Sequence, residues 1–151
     1  MASFLKYWLP AFVWMCLIFL MSTDVGSAAN TSRFIEPFLR WLIPNISASA
    51  IEQAHFYIRK TAHLGEYAVL GWLLWRALRQ TRLATARGSR WKIAALALLL
   101  SAAYAATDEF HQSFVPTRTA SVRDVMIDTC GSFIGLCIIH VGTLFQRRTD
   151  V

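Results

Sequence analysis

Between Lys6 and Asp24 the chain carries no charged residue, and from Tyr7 to Met21 almost every side chain is apolar. Comparable runs lie at Ile93–Thr107 and from Asp124 to Phe145, the latter interrupted by Asp128. A helix needs about 20 mainly apolar residues to cross roughly 30 Å of hydrocarbon. A soluble domain of this size has no use for several such runs, and the 56% hydrophobic content exceeds what one usually carries. The runs predict an all-α protein, a single domain over residues 1–151. It would be a four-helix transmembrane bundle with spans near 5–23, 58–79, 92–111 and 124–145.

The second span is the least apolar. Only Tyr67–Trp75 forms an uncharged centre, so a helix crossing there carries Lys60, His63 and Glu66 toward the bilayer. Ser49 and Glu52 stand at capping-box spacing and predict where this helix starts. The first run admits another reading, a cleaved signal peptide, because Lys6 precedes it and small residues follow at 26–29. Trp8, Pro10 and Trp14 suit an uncleaved helix better. After it, Arg33, Glu36 and Arg40 recur at helical spacing against Phe34, Phe38, Trp41 and Leu42. That stretch is too short to span. It predicts an amphipathic segment in the extracytoplasmic interface, or a lid over the helix ends, with Pro37 limiting its regularity.

The net charge is +6, but the cations flank the apolar runs instead of forming a stripe, which argues against nucleic acid. Lys6, Arg147, Arg148 and the six cations of segment 76–92 fall on one side of a four-span chain. That segment holds no acid, so the positive-inside rule places it and both termini in the cytoplasm. Cys16, Cys130 and Cys137 lie in apolar stretches and read as small hydrophobes, not as a disulfide or a metal site.

This topology sends most acids to the outer ends of the helices. Lys60, His63, Glu66 and Tyr67 share one arc of the second helix at 100° per residue. Ser101, Tyr104, Asp108 and Gln112 share a face of the third, with His111 beside them if the helix reaches that far, and Glu109 maps to the same outer end. Asp124, Asp128, Gly131 and Gly135 form one stripe on the fourth, and the glycines allow a neighbouring helix to come close. An acid at mid-bilayer costs about 2.5–3.5 kcal/mol on insertion scales. A register-setting ion-pair network would explain one such residue, whereas a cluster drawn from several helices points to a functional pocket. His63, Glu66, Asp108, His111, Asp124 and Asp128 are ligand types for a divalent cation. Lys60, Arg118 and Arg123 could instead hold a phosphate. Ser22, Thr23 and Ser101 are candidate nucleophiles that nothing in the sequence pairs with a base.

Three runs carry a family resemblance. Lys60-Thr61-Ala62-His63-Leu64-Gly65-Glu66-Tyr67 resembles the K-x-x-H-x-x-E-Y signature of the VanZ-like family. The stretch from Asp108 through Glu109, His111, Gln112, Phe114 and Pro116 to Arg118 is similar to its D-E-x-H-Q-x-F-x-P-G-R element. Ser121, Asp124, Asp128, Thr129 and Gly131 are similar to its S-x-x-D-x-x-x-N/D-T-x-G element. Thr117 stands where that family usually has Gly, and Ser22-Thr23-Asp24 where it often has Ser-Ser-Gln.

The resemblance implies a multi-pass protein of the bacterial inner membrane, and the founding member is linked to resistance against the glycopeptide teicoplanin. The expected role is recognition of a membrane lipid, a lipid-linked envelope headgroup or a lipoglycopeptide. Its site would comprise Lys60, His63, Glu66, Tyr67, Asp108, Glu109, His111, Gln112, Arg118, Asp124 and Asp128. The alternative is a hydrolase or transferase acting on such a lipid, with Glu66, Asp108 or His63 as acid or base and the divalent metal left open. An ion-coupled carrier is a third class, disfavoured because the acids sit at one end. Single cysteines at Gly88 and at Ser47, in a background without the native thiols, should label from opposite faces in intact cells. Outside labelling at position 88 would reverse the orientation.

Overall fold

The computed structural model describes residues 2–81, 90–116, 118 and 120–149, with side chains for 4–27, 30–81, 90–116, 118 and 120–142. Five α-helices and no strand occur among the described residues. They are α1 (Ala2–Ser22), α2 (Ala28–Leu42), α3 (Ala48–Gln80), α4 (Arg90–Gln112) and α5 (Val122–Thr149), with a short 3-10 turn at Asp24–Gly26 between α1 and α2. Arg82, Arg87 and Gly88 of the expected cytoplasmic loop lie outside the described residues, as do the side chains of Arg147 and Arg148.

Local chemistry sets the helix starts. Ser27 caps α2 through Asn30 N at 3.3 Å, and Ser47 caps α3 through Ala50 N at 3.2 Å. The start expected at Ser49 is therefore corrected. Ser47 already has extended backbone angles, so the helix begins beside it and Ser49 falls within the first turn. Helix α2 also runs through Pro37 without a break, since one proline removes a single backbone hydrogen bond.

Among the described residues, three helices are long and apolar enough to cross a membrane: Phe4–Ser22, Arg90–Gln112 and Val122–Gly142. Their surfaces agree, because Phe4, Leu5, Phe12, Leu99, Phe133 and Ile138 all face outward. Such dense outward apolar surface is foreign to water and natural in lipid. Helix α3 is longer but carries Arg59, Lys60, His63 and Glu66, and it is not among the three. It is instead the helix the others cover: α1, α4 and α5 all pack on it, burying Tyr67, Leu70, Leu74 and Leu78.

Pairs of contacts give the directions. Arg76 lies over the Tyr7 ring and the Trp14 indole donates to Glu66 O at 2.8 Å, so α1 and α3 are antiparallel. Tyr104 Oη donates to Met15 O at 2.6 Å and Ser22 meets Asp108, so α1 and α4 are parallel. Ser101 pairs with Ser132 at 2.5 Å and Trp91 with His140, so α4 and α5 are antiparallel.

Helices α3 and α5 run parallel and close enough to exclude a methyl group. A Cβ on Gly131 would strike the Leu64 carbonyl, one on Gly135 the Ala68 carbonyl, and one on Gly71 would come within 2.9 Å of Ser132 O. Gly65, by contrast, faces open space. Gly135→Leu should therefore destabilise the protein by about 1–3 kcal/mol through overpacking, read as a lower unfolding midpoint in detergent. Gly65→Ala should be neutral or stabilising by up to about 1 kcal/mol. Equal effects at the two sites would show that α3 and α5 do not meet along this stripe.

Candidate functional site: a polar cluster at one end of the helices

The parallel pair α3 and α5 places basic side chains against acidic ones. Lys60 Nζ donates to Asp124 Oδ1, and one turn further His63 Nδ1 stands 3.5 Å from Asp128 Oδ1. The second distance lies at the limit of a hydrogen bond, so this rung is an electrostatic contact, and neither oxygen of the fully buried Asp128 has a hydrogen-bond partner.

Helix α4 supplies a second group. Ser22 Oγ, at the end of α1, donates to Asp108 Oδ2 at 2.7 Å, and Gln112 Nε2 donates to Asp108 Oδ2 at 3.1 Å and to Ser22 Oγ at 3.2 Å. All three side chains are buried, and Asp108 Oδ1 is left unpartnered. The sequence offered no partner for Ser22; the fold provides a carboxylate from 86 residues away.

Glu109, the next residue, points toward α5. Its Oε2 accepts the Ser121 N–H at 2.8 Å, and Ser121 in turn accepts the Arg123 N–H at 3.1 Å, so α4 holds the first turn of α5 in place.

Arg118, in the connection between α4 and α5, serves the end of α1. It donates to Met21 O at 2.5 Å and Thr23 O at 3.1 Å, where a helix leaves carbonyls without intrahelical partners. Burial and the neighbouring Arg59 pull its pKa down, while Asp108, Asp24 and Glu66 act in the opposite sense. Gly26 makes this possible, since a Cβ there would collide with Met21 O and sit 2.9 Å from the Arg118 guanidinium.

Glu66 is half-buried and electrostatically coupled to His63, Asp128, Asp108 and Arg118. Tyr67 is fully buried, its hydroxyl unpartnered, and it feels the charges of Asp108, Asp128 and Glu109. The fold thus brings Lys60, His63, Glu66, Tyr67, Asp108, Glu109, Gln112, Arg118, Asp124 and Asp128 to one end of the helices. His111 packs its ring 4.2 Å from that of Phe19 on α1.

Ser22 was a candidate in the sequence, but its partner was not, because the contact is long-range and has no local signature. One buried residue escaped the sequence reading. His55 is buried with both ring nitrogens unpartnered, and its spacing with Arg59, His63 and Glu66 on one helical face could have shown it. Among the described residues no group of three or more His, Cys, Asp or Glu is arranged to hold a metal ion. Two cavities among the described residues lie away from this cluster. One follows the polar face of α2 along Arg33, Glu36 and Arg40; the other is at the far end of the helices.

The VanZ/LLP1 family model matches residues 7–145. The chain belongs to the VanZ/LLP1 family. No curated protein and no solved structure matches it. In this VanZ-like membrane protein the three runs that resemble the family's motifs occupy three sides of a single cluster: the middle of α3, the end of α4 and the start of α5. Lys60→Met and Asp124→Leu should each destabilise it. A double-mutant cycle should return a coupling of about 0.5–3 kcal/mol, as for other residues in direct contact. Additive losses would mean that the pair does not hold α3 to α5.

Proposed function

We propose that this VanZ-like protein crosses the bacterial cytoplasmic membrane four times as a helix bundle, with both termini and the loop 76–92 in the cytoplasm. In this reading its polar cluster, at the extracytoplasmic end, recognises the headgroup of a lipid-linked envelope precursor or a lipoglycopeptide, and so contributes to glycopeptide resistance. One observation carries the proposal. Buried donors on His55, Arg59 Nε and Arg118 Nε and the buried acceptors Asp108 Oδ1, Glu109 Oε1 and Asp128 Oδ2 lack partners at the same end of the helices. Buried polar groups are normally satisfied, and a sugar, peptide or phosphate headgroup offers both complements. Helix α2 supports the same reading as an interfacial lid: Phe34, Phe38 and Trp41 are exposed, while Arg40 pairs with Glu36 at 2.8 Å on the other face.

The Ser22–Asp108 pair favours a second reading, an enzyme acting on such a lipid. A hydroxyl hydrogen-bonded to a carboxylate is the arrangement a nucleophile and its base require.

Protein in phosphatidylcholine nanodiscs should bind an undecaprenyl-linked envelope precursor or teicoplanin saturably. Arg59→Gln and Glu66→Gln should weaken binding about tenfold, roughly the worth of one charge-assisted hydrogen bond. Turnover of the precursor that Ser22→Ala abolishes would promote the enzyme. Failure to bind either ligand, with the helical content intact, would sink the recognition role.

A further inference from the structure

At the end of the helices remote from the polar cluster, a cavity of about 330 Å³ lies between α4 and α5 against α3. That is near the lower end of the roughly 300–1,000 Å³ typical of small-molecule sites. Its wall is almost wholly apolar, with Trp75, Trp91, Leu98, Phe133 and Leu136 around the small side chain of Ala94. Trp91 and Phe133 are exposed, so the cavity lies at a surface that meets lipid.

Its rim is cationic. Arg90 lines it, and the Arg79 guanidinium stacks 5.1 Å over the ring of Trp75, which also lines it. Acids are sparse in the neighbouring sequence: residues 67–107 and 129–149 contain no Asp or Glu, and Asp150 is the first acid after them. An apolar slot that opens beside two guanidinium groups, in a part of the chain where cations far outnumber acids, is complementary to one kind of membrane molecule.

We propose that this cavity binds an acyl chain of an anionic phospholipid from the adjacent leaflet, with the lipid phosphate held by Arg79 and Arg90. Guanidinium forks suit phosphate oxygens, and the tryptophans place amphipathic rings at the depth where headgroup meets chain. The site is separate from the polar cluster and stands whether or not that cluster recognises a headgroup.

The full chain, reconstituted in phosphatidylcholine vesicles, tests this by tryptophan quenching. Phosphatidylglycerol with brominated acyl chains should quench at least twice as strongly as the same fraction of brominated phosphatidylcholine. Trp75→Phe with Trp91→Phe should remove that excess, which places the lipid in the cavity. Arg79→Gln with Arg90→Gln should reduce quenching to the phosphatidylcholine level. Ala94→Leu, which fills the cavity and keeps both cations, should do the same. Equal quenching by the two lipids, or an excess that survives Ala94→Leu, would mean annular lipid only and overturn the proposal. So would a cavity shielded from both lipids in a dimeric protein, which would make the occupant a second copy of the chain.

Discussion

The close approach of α3 to α5 is the contact on which the rest of the structure depends. Gly131, Gly135 and Gly71 let the two backbones meet at carbonyl distance, which no pair of larger residues at these positions would allow. In lipid there is little hydrophobic gain from joining two helices, so association rests on close packing and on polar contacts between backbones and side chains. Here the two arise together. Ser132 sits in the same seam, donating to Tyr67 O at 2.9 Å and pairing with Ser101 of α4. The seam also fixes register, and in that register Lys60 and His63 come opposite Asp124 and Asp128.

This geometry explains how a helix as polar as α3 sits among apolar neighbours. Each charged group would be costly alone against hydrocarbon. With α1, α4 and α5 packed around its lower half, α3 shows lipid little of its surface there, and its charges are gathered where the helices end. The Trp14 indole bonded to Glu66 O extends the same logic, closing α1 over the α3 backbone next to the acid. The helix that fails a simple test of apolarity is therefore the one the spanning helices need, because it carries the polar side chains they enclose.

Much of this was legible in the sequence. The apolar runs located α1, α4 and α5 to within a few residues, and the Gly131–Gly135 stripe beside Asp124 and Asp128 announced a close helix contact. Helical spacing brought out the faces of α3, α4 and α5 that meet in the cluster, because regular periodicity is a local property. The pairings were harder to see. Nothing in Ser22 alone predicts that it bonds Asp108, and nothing in Arg118 predicts that its donors close the end of α1 at Met21 and Thr23. Both depend on which helix end comes beside which, a property of the assembled fold. The start of α3 was misplaced for a different reason: Ser47 and Ser49 both suit an N-cap, and only backbone angles distinguish them.

The Arg118 contact ties the cluster to α2. Its guanidinium bonds carbonyls that bracket the end of α1, just before the 3-10 turn that leads through Ser27 into α2. Gly26 packs against the same guanidinium, so the direction in which α2 leaves α1 is set by a side chain from the α4–α5 connection. That connection is in turn anchored by Glu109, whose other oxygen is unpartnered inside the cluster. A change in what Glu109 or Arg118 contacts must therefore be felt at the root of α2. The amphipathic helix and the polar cluster thus meet at one side chain: Arg118 Nη2 holds the end of α1 from which α2 departs, while its Nε is left without a partner.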